Sequence, residues 1–270
     1  MKKLTVLFVV AAVAIAIVGC DDSNPADASG QTWITYAFAF HGELFPLRQD
    51  VTDLWGQIVS DPIAAPGSIT MNGTEFSGQE YWDNIEGILS FGYCTIFDDF
   101  DPLTVEITTS LGSTGCTVPL PEMPTAFAYS DPESLDIGED LTVFWSGGDA
   151  DFYYVEIDYE HEFGTDYKDT LVTGTSWTVD GSFFPFNGEI WGVYLQAING
   201  PVPEPGSGGN MSGDGTGFLF HILDGDWDLA GIVVGNGLPL KADRRPTPGT
   251  DARREKVGRA ILKANGLSGD

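Results

Sequence analysis

Hydrophobic and polar positions along this chain alternate with period two far more often than they recur every three or four residues. Leu103-Thr-Val-Glu-Ile-Thr-Thr109 is the clearest case. Such alternation predicts a strand with one buried face. Trp33-Ile-Thr-Tyr-Ala-Phe-Ala-Phe40 is rich in strand-forming side chains. Between Gly67 and Phe76 an Asn72-Gly73 pair separates two apolar runs, the strongest short-range hairpin signal. Leu111 to Gly115 reads as a turn, and Cys116 to Val118 as the start of a returning strand. Further strands are expected over 141–146, 152–159, 169–173, 176–179, 189–197 and 217–222. The chain's 34 Gly and 16 Pro punctuate these runs at short intervals, as in a sandwich. Helical periodicity is confined to 251–264, with Thr250 as its cap, Asn265-Gly266 as its stop and a narrow stripe of Val257, Ile261 and Leu262. A helix so short is marginal alone.

The expected fold class is therefore all-β, with two β-sandwich domains. Pro119-Leu-Pro-Glu-Met-Pro124 divides them, because each proline fixes φ and lacks a donor for a ladder. The expected domains are 32–119 and 126–235, joined by a Pro-rich linker at 120–125. Residues 236–270 form a basic tail, helical or disordered.

The first nineteen residues stand apart. Lys2 and Lys3 precede an uncharged apolar run from Leu4 to Val18, which is short for a spanning helix. Ile17-Val-Gly-Cys20 resembles the lipobox of a bacterial lipoprotein signal peptide. The resemblance implies that 1–19 is removed and that Cys20 carries a lipid as the mature N-terminus. Residues 20–31 then form a flexible tether. The protein is expected in the bacterial cell envelope, at the outer membrane or cell surface. Asp21, directly after the lipidated cysteine, resembles an inner-membrane retention signal and keeps that membrane open.

The second block resembles a fibronectin type III or related Ig-like domain. The residues that carry this are Trp145 on an early strand and Trp191-Gly-Val-Tyr-Leu-Gln-Ala-Ile-Asn-Gly200, similar to the family's late-strand pattern Tyr-x-Val-x-Val-x-Ala-x-Asn-Gly. The first block more loosely resembles small Ig-like or transthyretin-like modules of exported lipoproteins. Such sandwiches host many roles, so the likeness implies a fold rather than an activity.

Charge narrows the partners. Between Asp21 and Leu240, 36 acidic side chains face two basic ones, Arg48 and Lys168. A body so acidic repels nucleic acid and favours cations or cationic partners. The tail reverses the sign, with eight Lys/Arg against four Asp/Glu over 241–270. It is either a frayed extension or a basic arm that docks on the acidic body, a partner or an anionic polymer. Cys94 and Cys116 lie in a chain read as exported, where disulfides persist, and are expected to form a bridge; two buried free thiols are the alternative.

Calcium is the one inorganic cofactor considered. Asp224-Gly-Asp-Trp-Asp228 begins like a calcium loop, but Leu229 stands where a turn glycine is needed and Gly235 where a bidentate glutamate would be. Asp98, Asp99 and Asp101, and Asp149 and Asp151, cluster in further acidic turns, whose carboxylates are candidate oxygen ligands for calcium. His41, His161 and His221 are widely separated, and neither HExxH nor GxSxG occurs. The aromatic residues Trp55, Tyr81, Trp82, Tyr153, Tyr154 and Trp177 are candidates for a ligand-stacking surface; strand aromatics also fill cores. The expected function is a non-catalytic binding or structural role at the membrane through the lipid anchor, with an envelope protein or glycan as ligand. The alternatives are a glycan-active hydrolase and a calcium-stabilised spacer.

Overall fold

The computed structural model describes residues 33–44, 49–77, 82–85, 87–96, 101–202, 204, 208–228, 230–237 and 250–265. The segment 1–19 expected to be a signal peptide, Cys20, Asp21, Tyr81, Asp98 and Asp99 lie outside the described residues. The described chain is mostly strand, with one α-helix.

The first half contributes β1 (Trp33–Leu44), β2 (Gln49–Ser60), β3 (Pro66–Met71), β4 (Thr74–Ser77), β5 (Trp82–Ile85), β6 (Ile88–Ile96), β7 (Leu103–Thr109) and β8 (Gly112–Val118). The β3–β4 hairpin turns on Asn72 and Gly73, at φ 45° and 82°. Both residues need positive φ there, which is why this dipeptide marks the turn. The next turn is Ser110-Leu111, so β8 starts earlier than the sequence implies.

The second half contributes β9 (Ala126–Tyr129), β10 (Ser134–Leu135), β11 (Leu141–Ser146), β12 (Phe152–His161), β13 (Gly164–Val172), β14 (Ser176–Val179), β15 (Gly188–Asn199), β16 (Ser212–Gly213), β17 (Thr216–Asp228) and β18 (Ile232–Val234). The helix α1 spans Thr250–Ala264. Its end is closed by Asn265, whose side chain donates to the carbonyl of Ile261 at 2.9 Å. That agrees closely with the helix read from 251–264.

Ten strands share one sheet. Its path is β10–β18–β15–β17–β1–β2–β6–β5, and β12 pairs with β15 while β13 pairs with β12. Two smaller sheets, β16–β8–β7–β3–β4 and β14–β11–β9, complete a sandwich-like arrangement. Period-two alternation sorts the side chains of the large sheet. Trp33, Ala37 and Ala39 of β1 join Ile69, Val105 and Ile107 in the core beneath the five-stranded sheet. Tyr153, Val155 and Ile157 of β12 join Val143 and Trp145 beneath the three-stranded one. The alternate residues Tyr36, Phe38, Phe40, Tyr154, Phe220 and Ile222 form a third cluster with Val257 and Ile261 of α1.

The Pro-rich segment does not separate two independent sheets. The first part of β17 lies parallel to β1, from Ile34↔Thr216 to His41↔Leu223. Its second part lies antiparallel to β15, from Asn199↔His221 to Val193↔Asp228. At thirteen residues β17 is long enough to pair on both sides. The short β16 also crosses the expected boundary to pair with β8. The segment after β8 is pinned rather than free: Asn199 Nδ2 donates to the carbonyl of Pro119 at 3.2 Å, and the Glu122 N–H donates to the Asp149 carbonyl at 2.9 Å.

The expected bridge between Cys94 and Cys116 is not formed: both are free thiols. Cys94 stands on β6 of the large sheet and Cys116 on β8 of the facing sheet, each packed in the same apolar core. Burial pushes both thiols up to about 12, so each sits there as a small protonated hydrophobe.

Candidate functional site

The face of the large sheet beneath α1 combines aromatic rings with carboxylates. Trp55, Phe38, Phe220 and Phe152 make a row across it, with ring centroids 4.6, 5.5 and 6.2 Å apart in succession. Each such pair contributes on the order of 1 kcal/mol beyond area burial. Beside the rings stand Asp53 on β2, Glu156 and Asp158 on β12, and Asp169 on β13, which pairs with Glu156 across the ladder. Glu156 is fully buried and Asp158 nearly so. Strand alternation puts both on one face, because a single residue, Ile157, stands between them.

The cations come from α1. Arg254 Nη1 donates to Asp53 Oδ2 at 2.7 Å, and its guanidinium lies 5.2 Å from the ring centre of Phe40. Lys256 Nζ donates to Glu156 Oε2 at 2.8 Å and lies 5.0 Å from the Tyr167 ring centre. Tyr154 donates its hydroxyl to the same Glu156 oxygen at 2.9 Å. Burial, then the neighbouring carboxylate of Glu156, pushes the Tyr154 phenol far above its usual range. Asp169 is also raised, by burial and by Glu156, with Lys256 acting against the rise. Gly258 lets the helix come close: a Cβ there would lie 2.8 Å from the Trp55 ring. The arrangement holds a cationic amphipathic helix through charge, ring faces and an apolar seam together.

Some hydrogen-bonding capacity of this face is unused. Gln196 on β15 pairs opposite Tyr154 and shares its face. It is fully buried, and neither its Oε1 nor its Nε2 has a hydrogen-bond partner. Oε1 of Glu156 is in the same state.

The residues singled out from sequence scatter elsewhere. Asp224, Asp226 and Asp228 lie on the strand β17. Asp224-Gly225 is a bulge opposite Gln196, where a Cβ on Gly225 would meet the Leu195 carbonyl at 2.0 Å. Asp228 instead accepts the Tyr129 hydroxyl at 2.5 Å, which ties the three-stranded sheet to β17. Asp101 accepts the Leu120 N–H at 3.2 Å, and Asp151 accepts the Gly200 N–H at 2.8 Å. Among the described residues no group of three or more His, Cys, Asp or Glu is placed to hold a metal ion. Trp82, Tyr153 and Tyr154 are buried in cores rather than displayed, and Trp55 is half-buried beside α1.

The histidines divide. His41 on β1 and His221 on β17 meet edge-on, 6.5 Å apart, and His41 Nδ1 lies 3.2 Å from Thr52 Oγ1. His161 lies 3.1 Å from the Asp166 carboxylate at the end of the β12–β13 hairpin. There Phe163 is 71 % exposed and stacks edge-on with Phe186 at 4.8 Å. Asp53, Glu156, Asp158 and Asp169 escaped the sequence reading because acidic residues on alternating strands look solvated. The one available signal was a basic, amphipathic tail on an acidic chain. Compared with known proteins, this chain matches no protein-family model and no curated relative.

Proposed function

We propose that this protein is a lipid-anchored component of the bacterial envelope with a non-catalytic binding role. The anchor reading is supported by Ile17-Val-Gly-Cys20 after a charged start and an apolar run. The binding reading is carried by one observation: the acidic, aromatic face of the large sheet seats a cationic helix through two ion pairs and two ring contacts. The second half is a fibronectin type III-like unit in this reading. Its strand orders β14–β11–β9 and β13–β12–β15, with β17 and β18 following one another along β15, support that assignment.

The test combines mass spectrometry and protease shaving. The mature N-terminal peptide should begin at Cys20 and carry diacylglycerol. An unmodified peptide starting elsewhere overturns the anchor. Loss of the β body from intact cells would place it outside; protection until lysis would place it in the periplasm.

A further inference from the structure

We infer that the bed beneath α1 is a receptor site for a cationic amphipathic helix supplied by another protein, and that α1 is its built-in competitor. The inference rests on the binding reading above and gives that site a ligand class.

Four observations converge. First, complementarity is one-sided: the paired carboxylates belong to the sheet, and the cations that meet them belong to the single element α1. Residues 250–265 hold five basic and two acidic side chains, whereas the body from Asp21 to Leu240 holds only Arg48 and Lys168. Second, α1 follows the Pro- and Gly-containing stretch 238–249 in sequence, and its apolar contact with the sheet is a narrow stripe of Val257 and Ile261 flanked by Ala260 and Leu262. A helix of fifteen residues has little stability of its own and depends on the surface that it packs against. Third, Glu156 is fully buried and its ion-pair partner is Lys256. A buried carboxylate that loses its partner is costly, which favours re-occupation by another cation. Fourth, Gln196 and one oxygen of Glu156 are buried without partners. The bed therefore has capacity that α1 leaves unspent, and a ligand helix with a polar side chain at that point gains bonds that α1 does not make.

The ligand class follows from the seated helix. It is a helix with two cations near one end of its contact face, a small residue over Trp55, and apolar residues one turn apart. A competitor carried on the same chain can act at an effective concentration on the order of 1 mM. A free helix that binds the empty bed with a Kd of about 10 μM therefore appears about a hundredfold weaker against the intact chain.

The experiment uses the full mature chain and a fluorescent peptide of residues 250–265, read by anisotropy. Two variants release α1 by different means: R254E/K256E by charge, and V257D/I261D by the apolar seam. The expected result is tight peptide binding to both released chains and binding about a hundredfold weaker to the wild type. Glu156→Gln added to a released chain should weaken binding about tenfold. Failure of the peptide to bind released chains that keep native circular dichroism overturns the inference, as does equal binding to wild type and variants. A wild-type dimer that the released variants lose would assign the bed to α1 of a second copy and also overturn it. Neither result touches the mass of the Cys20 peptide, so the anchor reading stands or falls separately.

Discussion

His221 offers a quantitative test of what burying a neutral ring in the large sheet does to stability. The ring is fully buried on β17, edge-on to His41, and neither of its nitrogens makes a hydrogen bond. Burial pulls its pKa from 6.5 down to about 4. His41 adds to that drop, while the nearby carbonyls of Val118 and Pro119 and the charge of Asp101 oppose it. The folded-state value is therefore below the unfolded one. On acidification the unfolded chain takes up the proton first, so the stability from the neutral ring is complete above pH 6.5 and is lost as pH falls toward 4. Each pH unit in that window costs up to about 1.4 kcal/mol. The loss reaches about 1.4 kcal/mol at pH 5.5 and about 2.6 kcal/mol at pH 4.5. His221→Leu keeps the volume and removes the titration. Many carboxylates also titrate in this chain, so the informative quantity is the difference between wild type and variant in urea unfolding at pH 7, 5.5 and 4.5. The variant should gain on the wild type by those amounts as pH falls. A gap that stays within about 0.5 kcal/mol across the range would refute the reasoning.

Other expectations are more local. Gly258→Leu should drive α1 from the sheet, because its side chain would meet a Trp55 ring already stacked on Phe38; trypsin should then cut within α1 at rates the wild type resists. Gly56→Ala should destabilise by about 2 kcal/mol or more in thermal unfolding, since a Cβ there would lie 2.1 Å from the Tyr36 carbonyl. Tyr129→Phe should cost about 1–2 kcal/mol by removing the bond to Asp228. With both thiols raised to about 12, a thiol reagent at pH 8 should leave Cys94 and Cys116 unlabelled in the native protein and label both after denaturation, read by peptide mass; labelling of neither would mean that the bridge does form.

Local structure was legible where local chemistry sets it. The alternation of 103–109, the Asn72-Gly73 hairpin and the helix ending at Asn265 each follow from neighbouring residues. Strand β12 shows where that reasoning stops. Its Glu156 and Asp158 occupy the polar half of a period-two pattern, which reads as a solvent face. The strand is nevertheless buried on both faces, because a segment a hundred residues away in sequence supplies Lys256. The union of the two halves was hidden for the same reason. Nothing in the composition of β1 or β17 reveals that they are parallel neighbours, so the prolines between them looked like a boundary. The bridge between Cys94 and Cys116 was inferred from compartment and separation, neither of which carries the orientation of two strands in facing sheets.

The pairing of β1 with β17 has a consequence for the order of events during synthesis. Made from its N-terminus, the chain completes β1, β2 and the five-stranded sheet's β3, β4, β7 and β8 long before Thr216 to Leu223 exist. Until then one side of β1 is an open sheet edge bearing Tyr36, Phe38 and Phe40, the kind of surface that invites pairing with other chains. The nascent first half is thus obliged to wait for a late strand. Contacts that span so much of the chain form slowly, which makes this interval the one in which a chaperone has the most to protect.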